Sequence, residues 1–360
     1  MATSLAADGR VTQVYVSREL AVFSGRRCRT RQPVAALKRG HCLDTFDVII
    51  LGGGPAGCQC ALWLQMFGYR PCIIESRPHL GGLQNDNPYL DLSLVVLPVP
   101  TTGKALAARM DAAIRAQDIS VRVNTHAAAI RTCADGFDVE CRPAAPSAAP
   151  LHARFLVMAT GVRRRSGGID AGENVIIGAG DRVYDFDFTG KRVAILGGGD
   201  NAFENYFFIR SRGALCVNIF ARSISARRQF LVRTDRADVV CGDCSLSRAD
   251  MRVNGRQYDV WVVMYGWEPN VSFDCDFIPA RKADGFIATD PETAETSING
   301  VYAIGEIARR MHPSCVTSLA DGATAAKAIQ VRLEAGYARA FSEQLAHHPD
   351  RSDVAGKEPG

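Results

Sequence analysis

The hydrophobic pattern of this chain alternates short apolar runs with amphipathic stretches. Residues 44–51 end in Val48-Ile-Ile-Leu51, the continuous run of a strand buried on both faces. Residues 55–68 read as a helix and Pro71-Cys-Ile-Ile-Glu75 as a second strand, so the chain opens on a βαβ unit. Residues 101–116 carry a helical period. Residues 120–158 break into short strands, with a Pro/Ala surface loop from Pro143 to Pro150, and Leu156–Gly161 is an apolar strand ending in small residues. Residues 162–190 read as a connection. A second βαβ unit begins at Arg192, with its second strand over 217–221. Residues 229–265 read as alternating strands with an Asn254-Gly255 hairpin turn. A last strand covers 299–304, a helix covers 316–335 with Gly336 as its cap, and the polar chain beyond about 340 frays. Strands alternating with helices predict the α/β class.

Both βαβ units carry a glycine fingerprint between strand and helix: Gly52-Gly-Gly-Pro-Ala-Gly57 and Gly197-Gly-Gly-Asp-Asn-Ala202. That context is the one a dinucleotide fingerprint requires. Gly52 permits the tight turn, Gly54 removes the Cβ that would block a pyrophosphate, and Gly57 lets helix and strand pack closely. The helix N-terminus then offers N–H groups and the positive end of its dipole. Gly197, Gly199 and Ala202 can take the same parts in the second copy. Two copies imply two dinucleotides, most simply a flavin (FAD) and a nicotinamide, and hence hydride transfer between them. Glu75 ends the second strand at the spacing of a ribose-binding acid. The equivalent position in the second unit reads Ile219-Phe-Ala-Arg222-Ser223, followed by Arg227 and Arg228. Cations there suit a 2′-phosphate and favour NADPH.

Bulk properties narrow the classes. At 360 residues, 47% hydrophobic and 22% charged, the chain suits two globular domains. The net charge of +4 comes largely from Arg10, Arg18, Arg26, Arg27, Arg29, Arg31, Lys38 and Arg39, and the remainder is near neutral. No nucleic-acid footprint and no apolar run of the ~18 residues a membrane span needs are present. Residues 1–43 read as a basic, disordered extension, with an organellar presequence as the alternative; otherwise a cytoplasmic location is expected. The twelve cysteines have neither disulfide-scaffold nor zinc-ligand spacing and read as reduced thiols, and no metal is expected.

With Gly81-Gly82, Thr102-Gly103, Ala159-Thr160-Gly161, Tyr265-Gly-Trp-Glu-Pro-Asn270 and Gly300-Val-Tyr-Ala-Ile-Gly305-Glu306 added to the fingerprints, the chain resembles the thioredoxin-reductase-like flavoproteins of the pyridine nucleotide-disulfide oxidoreductase superfamily over about residues 44–336. The resemblance implies two Rossmann-like three-layer domains. An FAD domain over 44–164 and 281–336 would be interrupted by an NAD(P)H domain over 165–280 and followed by a polar tail over 337–360. It also implies a homodimer whose domains swivel about 162–190 and 271–290. It assigns FAD to Gly52, Gly54, Pro55, Ala56, Gly57, Glu75, Gly82, Ala159, Thr160, Gly161, Gly305, Glu306, Cys315, Val316 and Thr317. It assigns NADP to Gly197, Gly199, Asp200, Asn201, Ala202, Arg222 and Arg227. A reduced flavin's negative edge at the N-terminus of the last helix makes physical sense.

Two departures stand out. Glu306 occupies a position the family gives to aspartate. The redox Cys-x-x-Cys is missing both before the second fingerprint, where the chain reads Val175–Tyr184, and after Gly82, where it reads Leu83-Gln-Asn-Asp-Asn. Cys241-Gly-Asp-Cys244 reads as two small residues on a sheet edge, Cys58 and Cys60 as core, and Cys315 as the candidate active thiol. His312, before Pro313, reads as a turn residue. The expectation is an FAD-dependent NADPH oxidoreductase that passes electrons to a ferredoxin, a flavodoxin or a small acceptor. A thioredoxin or small-disulfide reductase using Cys315 or Cys241/Cys244 is the alternative, and a non-catalytic redox sensor a further one.

Overall fold

The structure, a computed structural model, describes residues 45–90, 94, 100–142 and 149–346. The segment 1–43, most of the Pro/Ala stretch and the end of the polar tail lie outside the described residues. The opening βαβ unit forms as its pattern predicts, with β1 (Thr45–Leu51), α1 (Pro55–Met66) and β2 (Pro71–Ile74). Val48, Ile49 and Ile50 are fully buried. Pro55 occupies the first turn of α1, where its fixed φ suits a helix start. Next comes α2 (Gly103–Arg115), capped by the Thr102 hydroxyl, which accepts from the Ala105 N–H at 3.2 Å. Then follow β3 (Ser120–Arg122), β4 (His126–Cys133), β5 (Gly136–Arg142), β6 (Leu151–Met158) and β7 (Val162–Arg164).

Residues 162–190 are more than a connection. They hold β7, β8 (Val175–Ile177) and α3 (Asp181–Asp185), each too short for its period to show in the sequence. The second unit contains β9 (Arg192–Leu196), α4 (Asp200–Ser211), β10 (Cys216–Ala221), α5 (Arg228–Leu231) and β11 (Val239–Cys241). It closes with β12 (Leu246–Ser247), β13 (Arg252–Val253), β14 (Arg256–Gln257) and β15 (Val260–Val263). The β13–β14 hairpin turns at Asn254-Gly255 as expected, with Asn254 at φ 48° and Gly255 at φ 77°. The chain ends with β16 (Trp267–Pro269), β17 (Asp274–Cys275), β18 (Val301–Ala303) and α6 (Cys315–Ala346).

Gly336 does not cap α6, which runs on to Ala346. A helix-interior glycine costs only about 1 kcal/mol, and the following Ala338, Arg339, Ala340, Glu343, Gln344 and Leu345 are good helix formers.

Two large sheets result, which is the expected α/β, Rossmann-like class, beside a small three-stranded sheet of β12, β13 and β14 and a two-stranded ribbon. The first runs β17-β4-β5-β6-β1-β2-β3, with β18 beside the second half of β6. The second runs β11-β10-β9-β15-β8 and is parallel throughout. An antiparallel ribbon of β7 and β16 connects them, pairing Arg164 with Trp267 and Val162 with Pro269. The return to the first sheet comes at β17, before the expected boundary at 280. There Asp274 and Cys275 pair with Ala129 and Ile130, and the Asp276 carboxylate accepts from the Thr132 N–H at 2.8 Å. Helices α1 and α6 cover one face of the first sheet; their backbones touch at Gly322, where a Cβ would lie 2.3 Å from the Ala56 carbonyl oxygen. In the second unit Phe203, Tyr206 and Ile209 of α4 fill one face and Trp261, Tyr258 and Val253 the other. No helix among the described residues is long and apolar enough to cross a membrane.

Candidate active site

The first glycine turn is built against the strand beside it. Gly52 has φ 103°, and a Cβ there would sit 2.5 Å from the Ala159 carbonyl oxygen; at Gly57 it would sit 2.0 Å from that of Gly52. Gly54 differs, because a Cβ added to it meets only Gly82 Cα, at 3.8 Å. The protein therefore leaves the space over Gly54 open, and α1 starts there with no side-chain cap on its N–H groups. Such a cradle fits a pyrophosphate. Glu75 is 5% exposed. Its Oε2 accepts from the Gly53 N–H at 2.7 Å and its Oε1 from the Arg77 N–H at 2.8 Å, so the turn and the acid fix each other.

A cleft of about 630 Å³ opens above this turn. Gly52, Gly54, Pro55, Ala56, Glu75, Gly82, Ala159, Thr160, Gly161, Gly305, Glu306 and Cys315 all line it. Gly57 lies beneath, packed as expected, while Val316 is exposed and Thr317 turns back to its own helix start. Ser314 caps that helix, accepting from the Thr317 N–H at 3.1 Å; this N–H is thus already taken. Thr160 donates to the Asn270 carbonyl at 2.5 Å, while Asn270 donates back from its backbone N–H to the Gly161 carbonyl at 3.0 Å.

Asp321 on α6, which sequence reasoning missed, holds the far wall. It is 2% exposed and accepts from the Gly305 N–H at 3.0 Å and from Arg310 at 3.1 Å. Burial pushes its carboxyl above the ordinary range, with Arg310 opposing. Glu306 makes no hydrogen bond among the described residues, and burial raises its carboxyl too, opposed by Arg309.

The second turn repeats the geometry. A Cβ on Gly197 would lie 2.3 Å from the Met264 carbonyl oxygen, whereas one on Gly199 meets only Ser225 Oγ, at 3.8 Å. Ala202, fully buried, stands where the first copy has Gly57. Arg222 follows β10 directly and is exposed. Arg227 instead pairs with Asp200 at 2.6 Å and lies over the Phe230 ring. Of the residues assigned to NADP only Asn201 lines the cleft; Gly197, Gly199, Asp200, Ala202, Arg222 and Arg227 lie outside it.

Between the turns the cleft wall is shared. Tyr89 sets its ring edge-on to Tyr184 and Phe208, at 5.7 Å from each. Lys104 pairs with Asp181 at 2.8 Å, and Asp86 with Arg77 at 2.9 Å and Arg164 at 3.4 Å. The Tyr89 hydroxyl and Asn205 Oδ1 are buried without a hydrogen-bond partner, and both residues line the cleft. Buried polar atoms without partners mark places for a ligand or ordered water. None of these long-range pairs could be read from local spacing.

Cys315 is the one cysteine lining the cleft among the described residues. Cys241 and Cys244 are free thiols outside it, on the β11 edge and the loop beyond. Cys58 and Cys60 are core; burial pushes the Cys58 thiol up to about 12 and that of Cys60 higher. His312 is exposed, its carbonyl accepting from the Thr317 hydroxyl. Three side chains of metal-ligating type that the spacing hid do come together: Cys133 and Asp135 meet His152 from β6.

The model of the pyridine nucleotide-disulphide oxidoreductase family matches residues 46–239. Among curated proteins, the chain is similar to an NADH dehydrogenase of Bacillus subtilis, 26% identical over 305 residues, covering 79% of this chain and 58% of that protein. The chain thus spans little more than half the length of that relative. Among solved structures, a bacillithiol disulfide reductase from Bacillus cereus superposes with a TM-score of 0.67 at 17% identity, covering 80% of this chain and 99% of that one. A thioredoxin reductase of T. acidophilum gives 0.65 at 21% identity, with 80% and 99% coverage. At these identities the structural matches speak for the fold.

Proposed function

The chain belongs to the pyridine nucleotide-disulphide oxidoreductase family, whose members use FAD and NAD(P)H, and on that premise we propose that it is an FAD-dependent NADPH oxidoreductase working without a dithiol of its own. The carrying observation is the cleft itself: it joins the first glycine turn to α4 of the second unit and contains a single cysteine among the described residues. A dithiol relay needs two.

In this reading Gly52, Gly54 and Ala56 hold the FAD pyrophosphate at the start of α1, and Glu75 holds the ribose side. Glu306 and the N-terminus of α6 face the rest of the cofactor. FAD, when bound, would supply a two-electron carrier: it would take a hydride from NADPH and pass its two electrons on, one to each of two ferredoxins or flavodoxins, or both to a two-electron acceptor. Gly199 and the start of α4 receive the NADP pyrophosphate, and Arg222 receives its 2′-phosphate. Arg227 pairs with Asp200 and offsets its negative charge at the start of α4. The acceptor is a ferredoxin, a flavodoxin or a small molecule.

Anaerobic titration of the flavin-loaded protein with NADPH tests this, followed by ferredoxin and then by thioredoxin with a disulfide reporter. Bleaching of the flavin with ferredoxin turnover and no disulfide turnover is expected. A flavin that NADPH fails to bleach would sink the proposal and favour the sensor reading. Because Cys315 lines the cleft, disulfide reduction through that thiol is the second reading, and disulfide turnover lost in C315S would establish it.

A further inference from the structure

Outside the cleft, the hairpin of β4 and β5 gathers a second group of reactive side chains. Its turn brings Cys133, Asp135 and Asp138 beside His152, the cross-strand partner of Asp138 on β6. Cys133 Sγ lies 3.7 Å from Asp135 Oδ1 and 3.7 Å from His152 Nδ1. The Nε2 of His152 lies 3.8 Å from Asp135 Oδ1, and one ligand atom from each of Cys133, Asp135 and His152 falls within 4.8 Å of the others. Asp138 Oδ1 sits 2.8 Å from His152 Nδ1. His152 is 8% exposed. Among the described residues, no lysine or arginine pairs with Asp135 or Asp138; their ion-pair partner is this histidine.

We propose that Cys133 Sγ, Asp135 and His152 Nε2 form a site for a divalent cation of the Zn²⁺ class, with Asp138 as the residue that positions the histidine. Four observations carry it. The sulfur–oxygen and nitrogen–oxygen separations are near the edges of a tetrahedron around zinc, which run from about 3.3 to 3.6 Å for bond lengths of ~2.0–2.3 Å. Asp138 on Nδ1 leaves Nε2 as the ligand, the carboxylate–histidine–metal arrangement that fixes tautomer and ring orientation. Thiolate, imidazole and carboxylate together select zinc over magnesium or calcium, which take oxygen ligands. Asp135 is on the exposed hairpin turn, with its side chain 82% accessible, and can swing in, leaving a fourth position for water.

Metal binding uses the thiolate: as the cation arrives the Cys133 S–H bond breaks, the S–Zn bond forms and one proton goes to solvent. None of Cys133, Asp135, Asp138 and His152 lines the cofactor cleft, so the site stands independently of the redox reading.

The test uses the full-length, flavin-loaded protein, stripped with chelator and titrated with Co²⁺ and then Zn²⁺. One equivalent of Co²⁺ should give d–d bands beyond the flavin absorption, bleached by Zn²⁺, with one proton released per metal in weak buffer. C133S and H152N should each weaken Zn²⁺ at least 100-fold, and D138N about 10- to 100-fold. Flavin content and the far-ultraviolet spectrum report folding. Should H152N fail to fold, C133S and D135N, both near the surface, decide. Absence of the cobalt bands, or equal binding by wild type, C133S and D135N, would overturn the site.

Discussion

The two glycine turns obey one steric plan and differ in what surrounds them. In each, the first glycine is pressed against a neighbouring carbonyl and the third of the Gly-Gly-Gly run faces open space. The middle glycine separates them. Gly53 donates its N–H to the buried Glu75. Gly198 has no such acid; its carbonyl accepts from the Ser225 and Ala226 N–H groups at 2.9 and 3.1 Å, and a Cβ on it would strike the Ser223 carbonyl oxygen. Both middle carbonyls accept from a main-chain loop, that of Gly53 from the Gly81 N–H at 2.7 Å; the first copy adds a carboxylate on the Gly53 N–H, and the second copy instead carries Arg222 outward. In the proposed reading the acid serves ribose hydroxyls and the cation a phosphate, and one residue at the end of the second strand would tune the same backbone device to two nucleotides.

The largest effect that could break this parallel is at the helix-packing position. A methyl group at Gly57 gains up to ~1 kcal/mol of helix propensity but meets the Gly52 carbonyl at 2.0 Å. G57A should cost about 3 kcal/mol net by chemical denaturation. The reciprocal change A202G should cost only about 1 kcal/mol, because Ala already fits there. Equal costs would mean that the helix-packing position at Gly57 is no tighter than the one at Ala202.

G54A separates packing from binding. Its Cβ meets no protein atom closer than 3.8 Å, so stability of the cofactor-free protein should stay within about 0.5 kcal/mol of wild type. FAD affinity should fall about 100-fold, some 2.7 kcal/mol, measured by flavin fluorescence on release. Unchanged affinity would remove the pyrophosphate from Gly54.

At the second turn the discriminating residue is Arg222. One lost charge-assisted contact is worth about 1.5–3 kcal/mol, so R222A should lower kcat/KM for NADPH about 10- to 100-fold and leave NADH alone. R227A should do less, about 3-fold, because its guanidinium is engaged by Asp200. A larger effect at Arg227 would reverse the assignment.

Much of this was legible because glycine fingerprints act locally: strand, turn and helix sit within a few residues, and the steric parts of Gly52 and Gly57 follow from that context; the bond from the Gly53 N–H to Glu75 was not marked there. Asp321 was not legible, since its meaning rests on a bond from α6 to Gly305, and nothing around it in sequence marks it. Tyr89, Tyr184 and Phe208 meet only because two units fold against each other. The cluster around Cys133 escaped because His152 arrives from the next strand, in no ligand-spacing pattern. The run of α6 through Gly336 shows a local stop signal overridden by the good helix formers that follow it.

The smallest predicted effect concerns two further acids, Asp200 at the start of α4 and Glu306, which follows β18 and lines the cleft. Asp200 has Arg227 as a partner, whereas Glu306 has burial without a hydrogen bond, which raises its carboxyl. Such a group holds its proton more tightly folded than unfolded. As pH rises from the ordinary carboxyl range through the raised value, the native state therefore binds more protons, and stability falls. That cost is absent at low pH and fully present above the interval. In cofactor-free protein E306Q removes it, so the variant should match wild type in acid and exceed it in stability near neutrality, read from melting temperature against pH. With FAD saturating, the order should invert, because the carboxylate then has a partner that the amide serves less well. A pH-independent difference between E306Q and wild type in the cofactor-free protein would mean that Glu306 is not the unpaired acid of the cleft, and the contrast with Asp200 would fail.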